Sequence, residues 1–242
     1  MISIIISSYQ PQFYFALEKN IAETIGIPYE IIKIDNPNLM GICEAYNKGA
    51  SLSKYDYLLF VHEDVIFHTK EWGQKLINHL EKENVGVVGV AGSNYVPKAP
   101  IGWHLPDNSF NFLNLIQNNK TKTNPRLFKN IDSPQKVFAL DGVFLGVKKV
   151  IYLKFAFDEN LKGFHGYDLD FSLRVAQKYQ NVVINDILIE HFSIGKPDLE
   201  WFNSNVYTRE KINYHYNQSC KEVEKLVFLS FMKDTFKYFG FS

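Results

Sequence analysis

Residues 55–66 read YDYLLFVHEDVI, and the fold turns on how that stretch is read. Tyr57–Val61 is a short run of aromatic and branched apolar residues, which predicts a strand covered on both faces. It stops abruptly at three polar side chains, His62, Glu63 and Asp64. In an open α/β sheet, ligands bind beyond the carboxyl ends of the strands, so the triplet is a site candidate. Its plainer reading is a solvated turn or a cap for the next helix. If strand geometry persists, His62 and Asp64 share one face and Glu63 points to the other. Such a pair suits a hard divalent cation, and the cation in turn suits a diphosphate.

Upstream, Ile2–Ile6 is a β-branched run closed by Ser7, Ser8 and Tyr9, then Gln10-Pro11. Residues 12–25 carry Phe13, Leu17, Ile21 and Ile25 at helical spacing and stop at Gly26. Tyr29–Ile34 is a further strand ending in Asp35-Asn36-Pro37. Residues 42–53 place Ile42, Ala45, Tyr46 and Ala50 on one helical face. Three strands joined by helices through short links predict a right-handed, doubly wound α/β sheet. Downstream, 71–83 reads as an amphipathic helix with Trp72, Leu76, Ile77 and Leu80 inward, and 85–91 as a strand.

From 92 to 132 the periodicity dissolves into Asn, Pro and Lys, with Trp103, His104, Phe110 and Phe112 interspersed. A long irregular loop of the kind that closes over a ligand is expected there. Residues 137–147 resume as a strand around Asp141-Gly142, 171–179 as a helix, and 182–190 as a final strand followed at once by His191. From 197 onward the chain is helical and aromatic. We therefore expect a main domain over 1–195 and a helical appendage over 196–242.

The 242 residues are 46% hydrophobic and 15% aromatic, enough for a sizeable core. Twenty-six basic residues balance 26 acidic ones, and no basic run suggests nucleic acid as a partner. Cys43 and Cys220 form no metal or redox spacing and fit a reducing, cytoplasmic setting. The opening MISIIISSYQ lacks a basic n-region and reads as a strand rather than a signal peptide. Near the C-terminus, Val223, Leu226, Val227 and Phe231 share one helical side, with Lys221, Lys225, Lys233 and Lys237 elsewhere. Core packing, a homodimer face and peripheral membrane contact all remain open for that helix.

Four stretches, SIIISSYQ, IIKIDNPN, EAYNKGASLSKYDYLLFVHEDV and HGYDLDFSLR, occur in an order that resembles the family 2-like GT-A glycosyltransferases over roughly residues 1–195. The resemblance implies a GT-A (Rossmann-like, nucleotide-diphospho-sugar transferase) fold. It also implies sugar transfer from a UDP- or GDP-sugar to a glycan or other hydroxyl acceptor, with Mn²⁺ or Mg²⁺. It assigns Ser7, Ser8, Tyr9, Asp35, Asn36, Asn47, His62, Glu63, Asp141 and Gly142 to the nucleotide and donor. Asp64 matches the metal-ligating position of the Asp-x-Asp motif, and His191 falls where a late-strand histidine completes the metal site in some relatives.

Asp168 matches the catalytic base, and its place before a helix is expected to favour the ionised carboxylate. Either Asp168 or Asp170 would also serve as an N-cap for the helix 171–179. Asp170 and Tyr167 are assigned to the acceptor, as is Trp103, which stacks on a sugar ring or packs a loop. Two positions depart from the pattern: His62 stands for the motif's first acid, and Tyr167 for the glutamate before Asp168. They keep a non-catalytic nucleotide- or glycan-binding module open as an alternative. A sugar nucleotidyltransferase is the other rival, although SSYQPQ lacks the Gly-rich basic loop such enzymes carry.

Overall fold

A computed structural model describes residues 1–121, 123–193, 195 and 197–240. Ile2–Ser8 (β1), Tyr29–Asp35 (β2) and Tyr57–Val61 (β3) form a parallel set, with β1 between the other two. Pro11–Thr24 (α1) and Ile42–Leu52 (α2) are the intervening helices. Proline opens α1 at a position where its missing N–H costs nothing. Gly49 of α2 is there for packing: a Cβ on it would lie 2.3 Å from Ile5 Cγ2. The apolar runs read correctly as strands because both faces of this sheet are covered. Ile4, Ile6, Leu17, Trp72 and Leu76 fill one side, and Ile5, Tyr46, Phe60, Phe157 and Phe171 the other.

Beyond β3 the sheet is mixed rather than uniformly parallel. Its order continues through Phe144–Lys148 (β11), Val85–Gly89 (β5), Gln180–Val183 (β12) and Gln135–Val137 (β9). Strand β11 runs antiparallel to β3, with Phe144 opposite Val61. Its first residues therefore meet the last residues of β3, and the preceding Asp141-Gly142 turn is delivered beside His62. The expected single strand over 137–147 is thus broken, with Ala139–Leu140 (β10) turning away into a second sheet.

That second sheet corrects the expectation of a long loop over 92–132. Ala91–Ser93 (β6), Asn111–Gln117 (β7) and Arg126–Lys129 (β8) are strands, joined by Ile189–His191 (β13) and Val65–Phe67 (β4) in the order β10-β6-β7-β13-β4 with β8 on β7. The asparagines that suggested a loop are buried clamps. Asn111 accepts from the Leu105 amide at 2.9 Å and donates to the Leu105 carbonyl at 2.8 Å, while Asn114 donates to the Ile187 carbonyl at 2.9 Å. In the same sheet β13 is antiparallel to β4, with His191 opposite Val65, which sets His191 next to Asp64.

Four of the remaining helices are Trp72–Leu80 (α3), Lys149–Phe155 (α4), Tyr167–Ala176 (α5) and Leu199–Lys211 (α6). Lys221–Phe239 (α7) is the last. The division expected at 195/196 falls on a stretch where Ile194 and Lys196 lie outside the described residues. Past it, α6 is tied to the body by Lys211, whose ammonium reaches Asp158 at 2.6 Å and Asp170 at 2.8 Å. Among the described residues no helix is long and apolar enough to cross a membrane.

Candidate active site

The two antiparallel junctions bring His62, Asp64 and His191 together, each offering one ligand atom within 4.8 Å of the others. His191 Nε2 lies 3.4 Å from Asp64 Oδ1 and 3.5 Å from His62 Nδ1. Burial and then the neighbouring His191 hold the His62 imidazole below its ordinary pKa, against the pull of Asp64 and Asp141. Burial pushes the Asp64 carboxyl up, but the hydrogen bond and charge of His191, then His62, bring it below the usual range. A neutral imidazole beside an ionised carboxylate is a donor set that a divalent cation can use.

The far side of His62 strengthens that fit. Its Nε2 sits 2.7 Å from the Tyr167 hydroxyl, so an Nε2–H donated to that oxygen leaves the Nδ1 lone pair facing Asp64 and His191. Orienting partners of this kind are the rule for metal-binding histidines. Tyr167 is buried and can reach His62 only because residue 142 is glycine: a Cβ there would lie 2.0 Å from the phenol oxygen. His62 and Tyr167, the two residues that break the expected pattern, therefore form one hydrogen-bonded unit.

Asp168 lines the same cleft, of about 430 Å³, with His62, Trp103, Asp141, Tyr167 and His191. The helix α5 begins at Tyr167, after Gly166 in the left-handed conformation (φ 76°). Asp168 and Asp170 thus occupy the first turn and neither is the cap. Asp168 accepts from the Gly142 amide at 3.0 Å and the Leu169 amide at 2.8 Å. Even so, burial and the charge of Asp141 push its carboxyl up to about 7, outweighing those amides. The expectation that the helix would simply favour the ionised form is corrected: near neutral pH this group exchanges a proton readily.

Several assigned residues are occupied elsewhere. Asp170 is fully buried, held by Arg174 at 2.6 Å and Lys211 at 2.8 Å, and does not face an acceptor. Asn47 spends its amide on the Tyr152 hydroxyl, the Phe157 amide and carbonyl, and Glu159. Asn36 binds Ser7 Oγ, the Met40 carbonyl, and the amides of Leu39 and Met40. Both side-chain amides have their hydrogen-bonding capacity taken up within the protein. Glu63 accepts from the amides of Tyr9 and Gln10 at 3.1 and 2.9 Å, bracing the turn into α1.

Ser7 and Ser8 end β1 with Tyr9 following, and Asp35 ends β2 alongside, with Ser8 opposite Asp35 in register. Asp35 is exposed and paired with Lys33 at 2.5 Å. Residues that sequence reading passed over also line the cleft. His104, Gln117 and His165 join it from separate segments, and Trp201 and Asn205 come from α6. His104 and His165 adjoin Trp103 and the HGYDLDFSLR motif in sequence, whereas Gln117, Trp201 and Asn205 are brought there only by long-range packing.

Comparison with known proteins gives the family and the fold. Residues 3–225 match the protein family described as "Glycosyltransferase like family". The sequence matches no curated protein. Among solved structures, the chain is similar to GalNAc-T7 with UDP, GalNAc and Mn²⁺, at 10% identity and a TM-score of 0.60, covering 97% of this chain and 56% of that one. It is also similar to S. aureus TarS 1–349, at 12% identity and a TM-score of 0.54, covering 98% of this chain and 72% of that one. The fold is accordingly that of the GT-A glycosyltransferases, and the chain spans only a little over half of GalNAc-T7 as solved.

Proposed function

We propose, since this chain belongs to the glycosyltransferase like family, that it moves a sugar from a UDP- or GDP-linked donor to a hydroxyl acceptor. The observation that carries the reading is the convergence of His62, Asp64 and His191, the two histidines of which line the same cleft as Asp168. Mn²⁺ or Mg²⁺ held by that triad would offset the charge growing on the departing diphosphate. The Mn²⁺ of the GalNAc-T7 structure supports the choice of ion.

On this reading Ser7, Ser8, Tyr9 and Asp35 receive the nucleotide at the ends of β1 and β2. Asp168 takes the proton of the acceptor hydroxyl as its oxygen bonds to the anomeric carbon, and the bond to the diphosphate breaks with its electron pair leaving on phosphate oxygen. A single displacement of this kind inverts the anomeric centre. Gly142 aims the carboxylate through its amide, and the buried setting that raises the Asp168 pKa also matches the base to neutral pH. Trp103, partly exposed on the cleft wall, offers a face for an acceptor sugar ring.

Calorimetric titration of UDP and GDP, in EDTA and in Mn²⁺, tests the metal. Binding should tighten with Mn²⁺ for the native chain, and Asp64→Ala should abolish the gain. Equal affinity in both conditions would reduce the triad to a structural cluster.

A further inference from the structure

The outer face of α7 is not used by the proposed chemistry. Val223 and Val227 are buried against Tyr95, Ile101 and Leu105 and mark the inward side of the helix. At 3.6 residues per turn the direction opposite them is centred on Lys225. That outward side carries Phe228, Leu229 and Phe239, 53%, 56% and 57% exposed, with Leu226 at its border, 45% exposed. Interleaved with them are the exposed Lys221, Lys225 and Lys233.

The acidic residues of α7 mostly lie elsewhere. Glu224 is engaged by the Tyr95 hydroxyl at 2.7 Å and the Lys98 amide at 3.1 Å. Asp234 falls on the valine side and is partly buried, so Glu222 alone is exposed among the lysines. Three lysines against one glutamate make this a basic face on a chain whose net charge is zero.

We propose that this face docks the protein on an anionic lipid surface. A second copy of the chain is a poor occupant, because a two-fold contact would set lysines against lysines. A protein partner would meet a lysine in the middle of its apolar contact, where interfaces are depleted of that residue. At a lipid boundary the mixture is favourable. Phenyl and leucyl tips enter the acyl edge, while lysine stems lie along them and carry the ammonium groups to headgroup phosphates. The helix also packs on Ile101 and Leu105, which flank the cleft residue Trp103. The docked face and the cleft therefore share one supporting segment.

Co-sedimentation with vesicles of phosphatidylcholine, alone or with one third phosphatidylglycerol, tests this. The full chain should bind the anionic vesicles and not the neutral ones, and added salt should weaken binding. Reversing Lys221, Lys225 and Lys233 to Glu should weaken it by roughly a hundredfold or more, at about fivefold per lysine lost. Phe228→Ser with Leu229→Ser should weaken binding while preserving its salt dependence. All five side chains are exposed, and unchanged circular dichroism will confirm that the variants fold. Absence of binding, equal binding to neutral vesicles, or native binding by the triple lysine variant would overturn the proposal. A concentration-dependent dimer in lipid-free solution, abolished by the same variants, would reassign the face to a second copy.

Discussion

Two charged clusters meet on the first turn of α5, and they are built on opposite principles. Asp170 closes a network in which Arg174 and Lys211 neutralise it and Lys211 continues to Asp158. Burial pushes Asp158 up, but the Lys211 bond, with those from Asn160 and Tyr207, holds it well below the carboxylate range. Two residues earlier, Asp168 faces Asp141 across the cleft with no cation beside it among the described residues, and its carboxyl is pushed up to about 7. One aspartate is paired and fixed; the other keeps its proton in play. The lesson is that position in a motif does not separate structure from chemistry, whereas the presence or absence of a counter-charge does.

The largest test of the contrast is Asp168→Asn. General-base catalysis is typically worth about 10²–10⁴-fold, so sugar transfer should fall by at least about a hundredfold while donor affinity holds. Near-native turnover with an authenticated acceptor would place the base elsewhere. The native enzyme should also lose activity as pH falls through about 7, since the base must be ionised, and this limb should vanish in the variant's residual rate.

Asp170→Ala should break the other cluster and read out as stability. Leaving Arg174 and Lys211 without their buried partner should cost about 3 kcal/mol, the low end for a broken buried pair because both cations retain some access to water. For a chain of this length that is a fall of roughly 6–12 °C in Tm. An unchanged Tm would show the network to be dispensable.

Tyr167→Phe removes only the hydroxyl that holds His62. Loss of an orienting partner typically weakens metal binding by about 10–100-fold, measurable by Mn²⁺ titration. Unaltered Mn²⁺ affinity would detach Tyr167 from the triad.

The smallest effect concerns Asp168 and pH. Its carboxyl rises from an ordinary 3.8 to about 7 on folding, so folding favours the protonated form. Below 3.8 the group is neutral in both states and costs nothing; above 7 it is charged in both and the folded state bears the full penalty. Asn keeps only one of the two acceptor oxygens that the Gly142 and Leu169 amides use, so the relief is partly offset. Asp168→Asn should therefore raise Tm by only a few degrees at pH 8 and not at all at pH 4. A stabilisation that grew toward acid pH would contradict the buried, unpaired carboxylate.

The legible part of the molecule is the part whose contacts are local. Ile2–Ser8, Tyr29–Asp35 and Tyr57–Val61 are parallel strands covered on both faces, so apolar runs and short links were sufficient signals. The His62–Glu63–Asp64 triplet was likewise visible because it ends such a run. The second sheet was not. Its strands are short, and Asn111 and Asn114 are buried through hydrogen bonds to distant backbone, which sequence cannot distinguish from loop polarity. The side-chain partners of Asn36, Asn47 and Asp170 were hidden for a related reason. Each stands in a motif, and only the fold reveals that its hydrogen-bonding capacity is already spent. The His62–Tyr167 bond spans 105 positions, beyond any pattern of spacing.

Gly142 carries a consequence for how such a site is held. Because a methyl group at 142 would collide with the Tyr167 phenol, the seat that tyrosine takes at 167 requires glycine at 142, whereas glycine at 142 does not require tyrosine at 167. With the phenol seated against His62, a side chain at 142 would evict it and let the imidazole swing. The coupling of these positions is thus one-directional, with a glycine that carries no side chain of its own fixing how the His62 imidazole is held.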